Sequence, residues 1–173
     1  MKEEKMPSLT EKIRIFALGG LDEDGKNLFC VEVDQSIYVI EAGIKFPDNK
    51  ESLGIEFIIQ DFTYLVENKN RVAGIFITHG HDDVMGALPY LLKQVPCDVY
   101  TAPLAVKEVQ KMIRQEHITG VRVHGVMKRS VLEKEELSSS QLPMHILERL
   151  VLRLVLNKDI SYIQVSSSRI MMI

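Results

Sequence analysis

Disulfide-forming cysteines, tryptophan and long hydrophobic runs are scarce or missing in this sequence of 173 residues. Cys30 and Cys97 are too few for a disulfide framework, and each lies in an apolar run, so we predict buried free thiols in a reducing compartment. The charged residues 1–12 contain no apolar core of the kind that a secretory signal peptide needs. No apolar run reaches the roughly 18 residues of a membrane span. The sequence therefore predicts a cytoplasmic protein that does not enter a membrane.

An excess of positive charge is also absent. The 21 Lys and Arg residues are outnumbered by 24 Asp and Glu residues, and the net charge of −3 gives no overall attraction to nucleic acid. A polyanion would need a local basic patch, and Lys107, Lys111 and Arg114 repeat at helical spacing. A solvated helix face is the default interpretation of these three residues, and contact with an RNA backbone is the alternative.

The order of apolar patterns predicts a single α/β domain. Two β-type runs, 28–33 and 37–42, have the spacing of a hairpin, and later strand patterns alternate with helical ones. That order favours an α/β sandwich over a purely parallel sheet. Other predicted strands cover residues 13–18, 71–78, 99–102 and 121–126; predicted helices cover 61–69 with Asp61 as N-cap, 85–94 and 103–117; a glycine-rich loop covers 19–27.

A cluster of histidines and aspartates follows the predicted strand 71–78. The sequence T-H-G-H-D-D-V carries His79 and His81, then Asp82 and Asp83, before Val84. Imidazoles two residues apart can converge on one ion, and a carboxylate can complete a set that suits zinc or manganese. The alternative is two surface histidines beside a solvated acid pair. The position at the carboxyl end of a strand favours the metal site.

The same stretch, with its flanks, resembles the ribonuclease J family, in the β-CASP group of the metallo-β-lactamase superfamily. The resemblance covers residues 13 to about 104, in the order I-R-I-F-A-L-G-G-L-D-E-D-G-K-N, Y-V-I-E-A-G-I-K-F-P-D and I-T-H-G-H-D-D-V-M-G-A-L-P-Y, and continues more weakly to about 126. It implies the N-terminal part of an αβ/βα sandwich. It also implies a metal-dependent RNA hydrolase with 5′–3′ exonuclease and endonuclease activity, in RNA processing and decay.

The resemblance assigns His79 and His81 to one metal and Asp83, a catalytic residue, to a second metal. Val84 stands where the second metal's histidine is usual and has no lone pair, so we expect one weak zinc or manganese site at most. Glu41 stands where an aspartate usually supports the site, and its extra methylene is expected to disturb that support. Asp82 falls at a variable position beside the ligands. Asp22, in the loop 19–27, stands where the family usually has a glycine.

Residues 127–173 do not match the family and form a separate predicted segment. Residues 146–155 have the pattern of an amphipathic helix, and His145 is better explained as part of that helix than as a missing ligand. A shifted reading frame over 162–168 would permit the family's expected Y-T-G-E-F-K, so we hypothesise a frameshift in the gene. The domain would then be 1–126, an incomplete sandwich with an apolar sheet face that invites aggregation or a homo-oligomer.

Two functions remain open from the sequence. The first is a ribonuclease J-like RNA hydrolase that is weakened or inactive. The second is a non-catalytic accessory subunit that binds RNA or an active ribonuclease J paralogue, because some family members occur in pairs whose second member has a degenerate metal motif like this one. Val84 and Glu41 favour the second function, and the intact His79, His81 and Asp83 favour the first.

Overall fold

A six-stranded mixed sheet forms the framework of the protein, seen here in a computed structural model that describes residues 13–47, 54–126, 163–166 and 169–172, the last two ranges by their backbone alone. The spatial order of the strands follows the chain. The first three pair antiparallel, and the third to sixth pair parallel. The strands are β1 (Ile13–Gly19), β2 (Leu28–Val33), β3 (Ser36–Ile40), β4 (Val72–Ile77), β5 (Val99–Thr101) and β6 (Val123–Gly125). The mixed α/β fold confirms the prediction, with β6 shorter than expected.

Four α-helices and one 3-10 turn connect the parallel strands: α1 (Thr63–Glu67), the 3-10 turn (Lys69–Arg71), α2 (Asp82–Met85), α3 (Leu88–Gln94) and α4 (Val106–Gln115). Pro89 lies at the start of α3, where its missing N–H has no partner to lose. Asp61 lies one residue before the N-cap Phe62, but its carboxylate accepts hydrogen bonds from the backbone N–H and the hydroxyl of Thr63. Asp82 and Asp83 precede the predicted helix 85–94 and open a separate short helix, α2.

The main core lies on one face of the sheet, between the strands and the helices. Alternate strand residues face it, because side chains of a strand point to opposite sides in turn. Leu28 and Cys30 of β2 face this core, whereas Phe29 and Val31 face the other side. The helices contribute buried residues to the same core: Leu65, Leu88, Leu91, Leu92, Val109 and Ile113.

Both cysteines are free thiols, as predicted, with Cys30 buried and Cys97 half-buried. Burial raises the pKa of each thiol to about 12, with smaller contributions from neighbouring carboxylates, so neither is a reactive thiolate at neutral pH. Among the described helices, none has the length and apolar character needed to cross a membrane.

The C-terminal part contains a small antiparallel pair, β7 (Ile163–Ser166) and β8 (Arg169–Met172), in a sheet of its own. The predicted helix 146–155 and His145 lie outside the described residues. Strand β6 ends at Gly125, next to the predicted domain boundary at residue 126. The boundary itself and the frameshift stay predictions.

Candidate metal centre

Three side chains converge just beyond the carboxyl end of β4. One ligand atom from each of His79, His81 and Asp83 can be chosen so that all three lie within 4.8 Å of one another, and this is the one such cluster among the described residues. His79 Nε2 lies 3.0 Å from His81 Nδ1. Two nitrogens bound to one tetrahedral zinc at about 2.1 Å lie about 3.4 Å apart, so the imidazoles are already near a ligating separation.

A hydrogen-bonded chain behind His79 sets the tautomer of its ring. Thr78 Oγ1 donates to Glu41 Oε1 at 2.8 Å, and the same oxygen lies 2.9 Å from His79 Nδ1. Because the single hydroxyl proton is directed to Glu41, Thr78 accepts the proton of Nδ1. The lone pair of His79 then resides on Nε2, which faces His81. Metal-binding histidines are commonly oriented in this way by a partner on their other nitrogen.

The hydroxyl of Thr78 gives a direct test of this orientation. Thr78→Val keeps the side-chain shape but removes the link to His79, so we expect the affinity for zinc or manganese to fall about 10–100-fold. Thr78→Ser should restore most of it. The matched control is Thr101→Val on β5, because Thr101 is fully buried and its hydroxyl has no hydrogen-bond partner among the residues that the structure describes. Titration calorimetry measures all four proteins, and equal losses in both valine variants would contradict the role of Thr78.

Glu41 supports the site from a buried and strained position. Its side chain is almost fully shielded, and its backbone has φ = 67°, in the left-handed region that glycine favours. Burial raises the pKa of Glu41 to about 7; the hydrogen bond from Thr78 opposes this rise, and the charge of Asp83 adds to it. The longer side chain of glutamate, expected to disturb the support, still reaches His79 through Thr78.

Burial also affects His79 itself. Partial desolvation lowers the pKa of His79 below its ordinary value, and the neighbouring His81 lowers it further, while Asp83 opposes both. A lowered pKa keeps the imidazole neutral near pH 7, which is the form that binds metals.

The loop 19–27 borders the site. Asn27 Nδ2 donates to Asp83 Oδ2 over 3.5 Å, which places the carboxylate beside the two imidazoles. A cleft of about 450 Å³ opens at this point and is lined by Asp24, Gly25, Asn27, Ile44, Lys45, Phe46 and Asp83. Asp83 is therefore accessible to solvent through the cleft. Within the loop, Asp22 has φ = 53°, in the left-handed region that glycine adopts most easily. This agrees with the glycine that is usual at this position in the family that the sequence resembles.

Backbone hydrogen bonds tie α2 to the segment that follows β3. Ala42 N donates to Val84 O at 2.7 Å, and Ile44 N donates to Asp82 O at 2.8 Å. Between them, Gly43 touches the helix backbone so closely that a Cβ there would lie 1.6 Å from the carbonyl oxygen of Asp83. The position of Asp83 therefore depends on a glycine at residue 43.

Neither Val84 nor Asp82 contributes a ligand to the cluster. Val84 is 1% exposed and packs in the main core, so an aliphatic side chain occupies this position. Asp82 is exposed and contributes its backbone carbonyl to the contacts of α2. His117 is exposed at the end of α4, and His124 forms a 2.9 Å contact with Asp98, so neither belongs to the cluster.

Sequence reasoning missed Thr78, Asn27 and Gly43 as parts of the site. Thr78 had a local signal, since it directly precedes the first histidine at the end of a strand. Asn27 and Gly43 had no such signal. Each acts through a contact with residues of α2 that are distant in the chain.

Several known proteins are similar in sequence to this chain. Ribonuclease J2 of Bacillus subtilis is 44% identical to it over 106 residues, which is 61% of this chain and 19% of that protein. Ribonuclease J 2 of Streptococcus pyogenes is 41% identical over 107 residues, 62% of this chain and 19% of that protein. The chain is a ribonuclease J homologue. Ribonuclease J 1 of S. pyogenes is 42% identical over 106 residues, 61% of this chain and 19% of that protein, so the two paralogues of one bacterium are equally similar to it.

The chain spans about a fifth of the length of these relatives. No protein-family model matches it. Among solved structures, human tRNase Z (short form) superimposes with a TM-score of 0.45 at 18% identity, over 68% of this chain and 46% of that one.

Proposed function

We propose that this chain is the N-terminal part of a ribonuclease J-like RNA hydrolase whose metal site holds one weakly bound ion, zinc or manganese. The observation that carries the proposal is the convergence of His79, His81 and Asp83 within 4.8 Å, in a chain about 40% identical to ribonuclease J proteins. Two imidazoles and a carboxylate leave a fourth position open, the arrangement of a catalytic rather than a structural zinc site.

Five residues of the site would each have a part in this function. His79 and His81 would hold the ion, with Thr78 and Glu41 keeping Nε2 of His79 free of a proton. Asp83 would bind the ion and face the cleft through which RNA arrives. A bound ion would supply acidified water and stabilise charge on a phosphodiester. Two free thiols support a reducing cytoplasm as the place of action.

A single ion follows from Val84. Its side chain has no lone pair and is buried against the core, so no donor at this position can help to hold a second ion. Hydrolysis that relies on two ions clamping the phosphate would therefore be weak. Weak hydrolysis favours an accessory role as the second candidate function. In that role the chain binds RNA or an active ribonuclease J paralogue and acts as a non-catalytic subunit of the resulting complex.

Cleavage and binding assays on the same proteins separate the two candidates. A 5′-monophosphorylated, end-labelled RNA is incubated with the purified chain and manganese or zinc. We expect slow, metal-dependent cleavage that falls at least about 100-fold in His79→Ala. The control is His117→Ala, on an exposed helix end outside the cluster. The accessory role would instead be established if no variant cleaves RNA and the chain either binds RNA without metal or co-elutes with an active ribonuclease J.

A further inference from the structure

The side chain of Gln60 lies inside the protein, although a glutamine is usually exposed to water. It is 4% exposed, and its amide Nε2 donates to the carbonyl oxygen of Gly43 at 3.0 Å. A Cβ at Gly19 would lie 2.7 Å from Cγ of Gln60, so the side chain fills the space beside that glycine. Two residues earlier, the backbones of Ile58 and Lys45 exchange hydrogen bonds of 2.8 and 2.9 Å. The backbone therefore holds the amide of Gln60 against Gly43.

The amide of Gln60 uses its donor end alone. Among the residues that the structure describes, Gln60 Oε1 has no hydrogen-bond partner, although it is buried. A buried acceptor without a partner costs free energy, so this side chain adds little to the net stability of the fold. The orientation of the amide is set by Gly43, because a reversed amide would place two oxygens together. A buried polar side chain that adds so little stability and yet holds one carbonyl indicates a role in geometry.

Gly43 is held at both of its polar groups. Its N–H donates to the carbonyl oxygen of Asn27 at 3.0 Å, and in the described part of the chain Gln60 is the one donor to its own carbonyl. Glycine has wide backbone freedom, so these two bonds, and not its own sterics, fix the backbone here. That position matters because Gly43 lies against the backbone of Asp83, where no Cβ would fit.

The direct hydrogen bonds to Asp83 are long by comparison. Asn27 donates to Asp83 O through its backbone N–H at 3.3 Å and to Asp83 Oδ2 through its side chain at 3.5 Å. Both distances exceed the upper end of about 3.2 Å that is usual for N–H···O bonds, so both bonds are weak. The close contact with Gly43 therefore does more to place Asp83 than the bonds from Asn27 do.

We propose that Gln60 is a positioning residue of the site: by holding the carbonyl of Gly43, it keeps Gly43 against α2 and so fixes Asp83 beside the two histidines. The proposal deepens the proposed function and rests on it, because a fixed Asp83 serves hydrolysis only if the cluster binds an ion. Gln60 itself touches none of the three ligands and acts through Gly43.

Amide hydrogen exchange in the metal-free chain tests the proposal without relying on metal binding. Gln60→Met keeps the length of the side chain but removes the donor. We expect the amide protons of Gly43 and Asn27 to exchange at least about tenfold faster, because both belong to the contacts around Asp83. The amide proton of Leu91, within α3, should stay within about twofold of wild type. Equal acceleration at all three amides, or none at any of them, would overturn the proposal.

Gln94→Met is the matched control. Gln94 Nε2 donates to the carbonyl oxygen of Tyr90 at 3.4 Å on the exposed side of α3, so this variant loses a bond of the same kind away from the site. Exchange at Gly43 and Asn27 should match wild type. If Gln60→Met does not fold, Gln60→Leu, a second apolar side chain without a donor, takes its place in both measurements.

Metal titration measures the effect on the site. We expect the affinity for zinc, measured by calorimetry, to fall about tenfold in Gln60→Met and to stay unchanged in Gln94→Met. By linkage, saturating zinc should slow the exchange of the Gly43 amide in wild type by a similar factor. An unchanged affinity in Gln60→Met would overturn the proposal. If wild type binds no zinc while the exchange result holds, the proposed function fails, whereas Gln60 still positions Asp83.

Discussion

Gly43→Ala should both destabilise the protein and abolish metal binding. The added Cβ would lie 1.6 Å from the carbonyl oxygen and 2.1 Å from the carbonyl carbon of Asp83, and these backbone atoms cannot rotate away. Helix α2 and the segment after β3 must separate, which breaks the hydrogen bonds of Ala42 and Ile44 to that helix. We expect a loss of roughly 2–5 kcal/mol in the free energy of unfolding, the sum of overpacking and two lost buried hydrogen bonds.

Gly80→Ala is the control for this prediction. Gly80 lies between the two histidines, yet beyond its chain neighbours the nearest described atom to an added Cβ is Met85 Cε at 3.9 Å, an ordinary van der Waals distance. Denaturant unfolding with metal titration compares the two variants with wild type. We expect Gly80→Ala to keep most of the stability and to bind the metal. Equal behaviour of the two variants would show that the contact at Gly43 does not position Asp83.

Glu41→Gln should stabilise the protein at alkaline pH and have little effect in acid. Burial raises the pKa of Glu41 from its ordinary value of 4.5 to about 7. Between pH 4.5 and 7 the carboxyl group of Glu41 therefore keeps its proton in the folded state but loses it in the unfolded state. The contribution of this group to stability is complete below pH 4.5 and is lost as the pH rises through 7. A shift of this size corresponds to about 3 kcal/mol at pH 8. Glutamine avoids this loss and can still accept the hydrogen bond of Thr78.

Thermal unfolding at several pH values, with a chelator to exclude metals, measures the effect. The midpoint of Glu41→Gln should exceed that of wild type by roughly 6–12 °C at pH 8, and the gap should shrink to a small fraction of that at pH 5. Glu67→Gln, at an exposed position of α1, serves as the control and should show no pH-dependent gap. A constant difference between Glu41→Gln and wild type would mean that Glu41 does not titrate in this range.

The sequence predicted those parts of the site that depend on local pattern. The β-type runs of β2 and β3 and the short spacing between them predict the hairpin, and the apolar run of β4 closely precedes the histidines. Because ligand clusters belong at the carboxyl ends of parallel strands, order and spacing predicted that His79 and His81 lie together with a neighbouring carboxylate. The choice of Asp83 over Asp82 came from the resemblance to the ribonuclease J family.

The rest of the site depends on contacts between distant parts of the chain. Glu41 and Thr78 are 37 positions apart, and Asn27 and Asp83 are 56 apart, so their hydrogen bonds exist only because β2, β3 and β4 are neighbours in the sheet. The helical conformation of Asp82 and Asp83 also has a tertiary cause. A four-residue helix is too short to be stable alone and is held by its bonds to Ala42 and Ile44.

Native mass spectrometry of the metal-free chain titrated with zinc or manganese tests the central claim most directly. We predict that at most one ion binds to each chain and that His79→Ala, His81→Ala and Asp83→Asn each remove it. His124→Ala, which alters a contact with Asp98 outside the cluster, should leave the ion bound. Two ions per chain, or an ion that persists when both histidines are replaced, would contradict it.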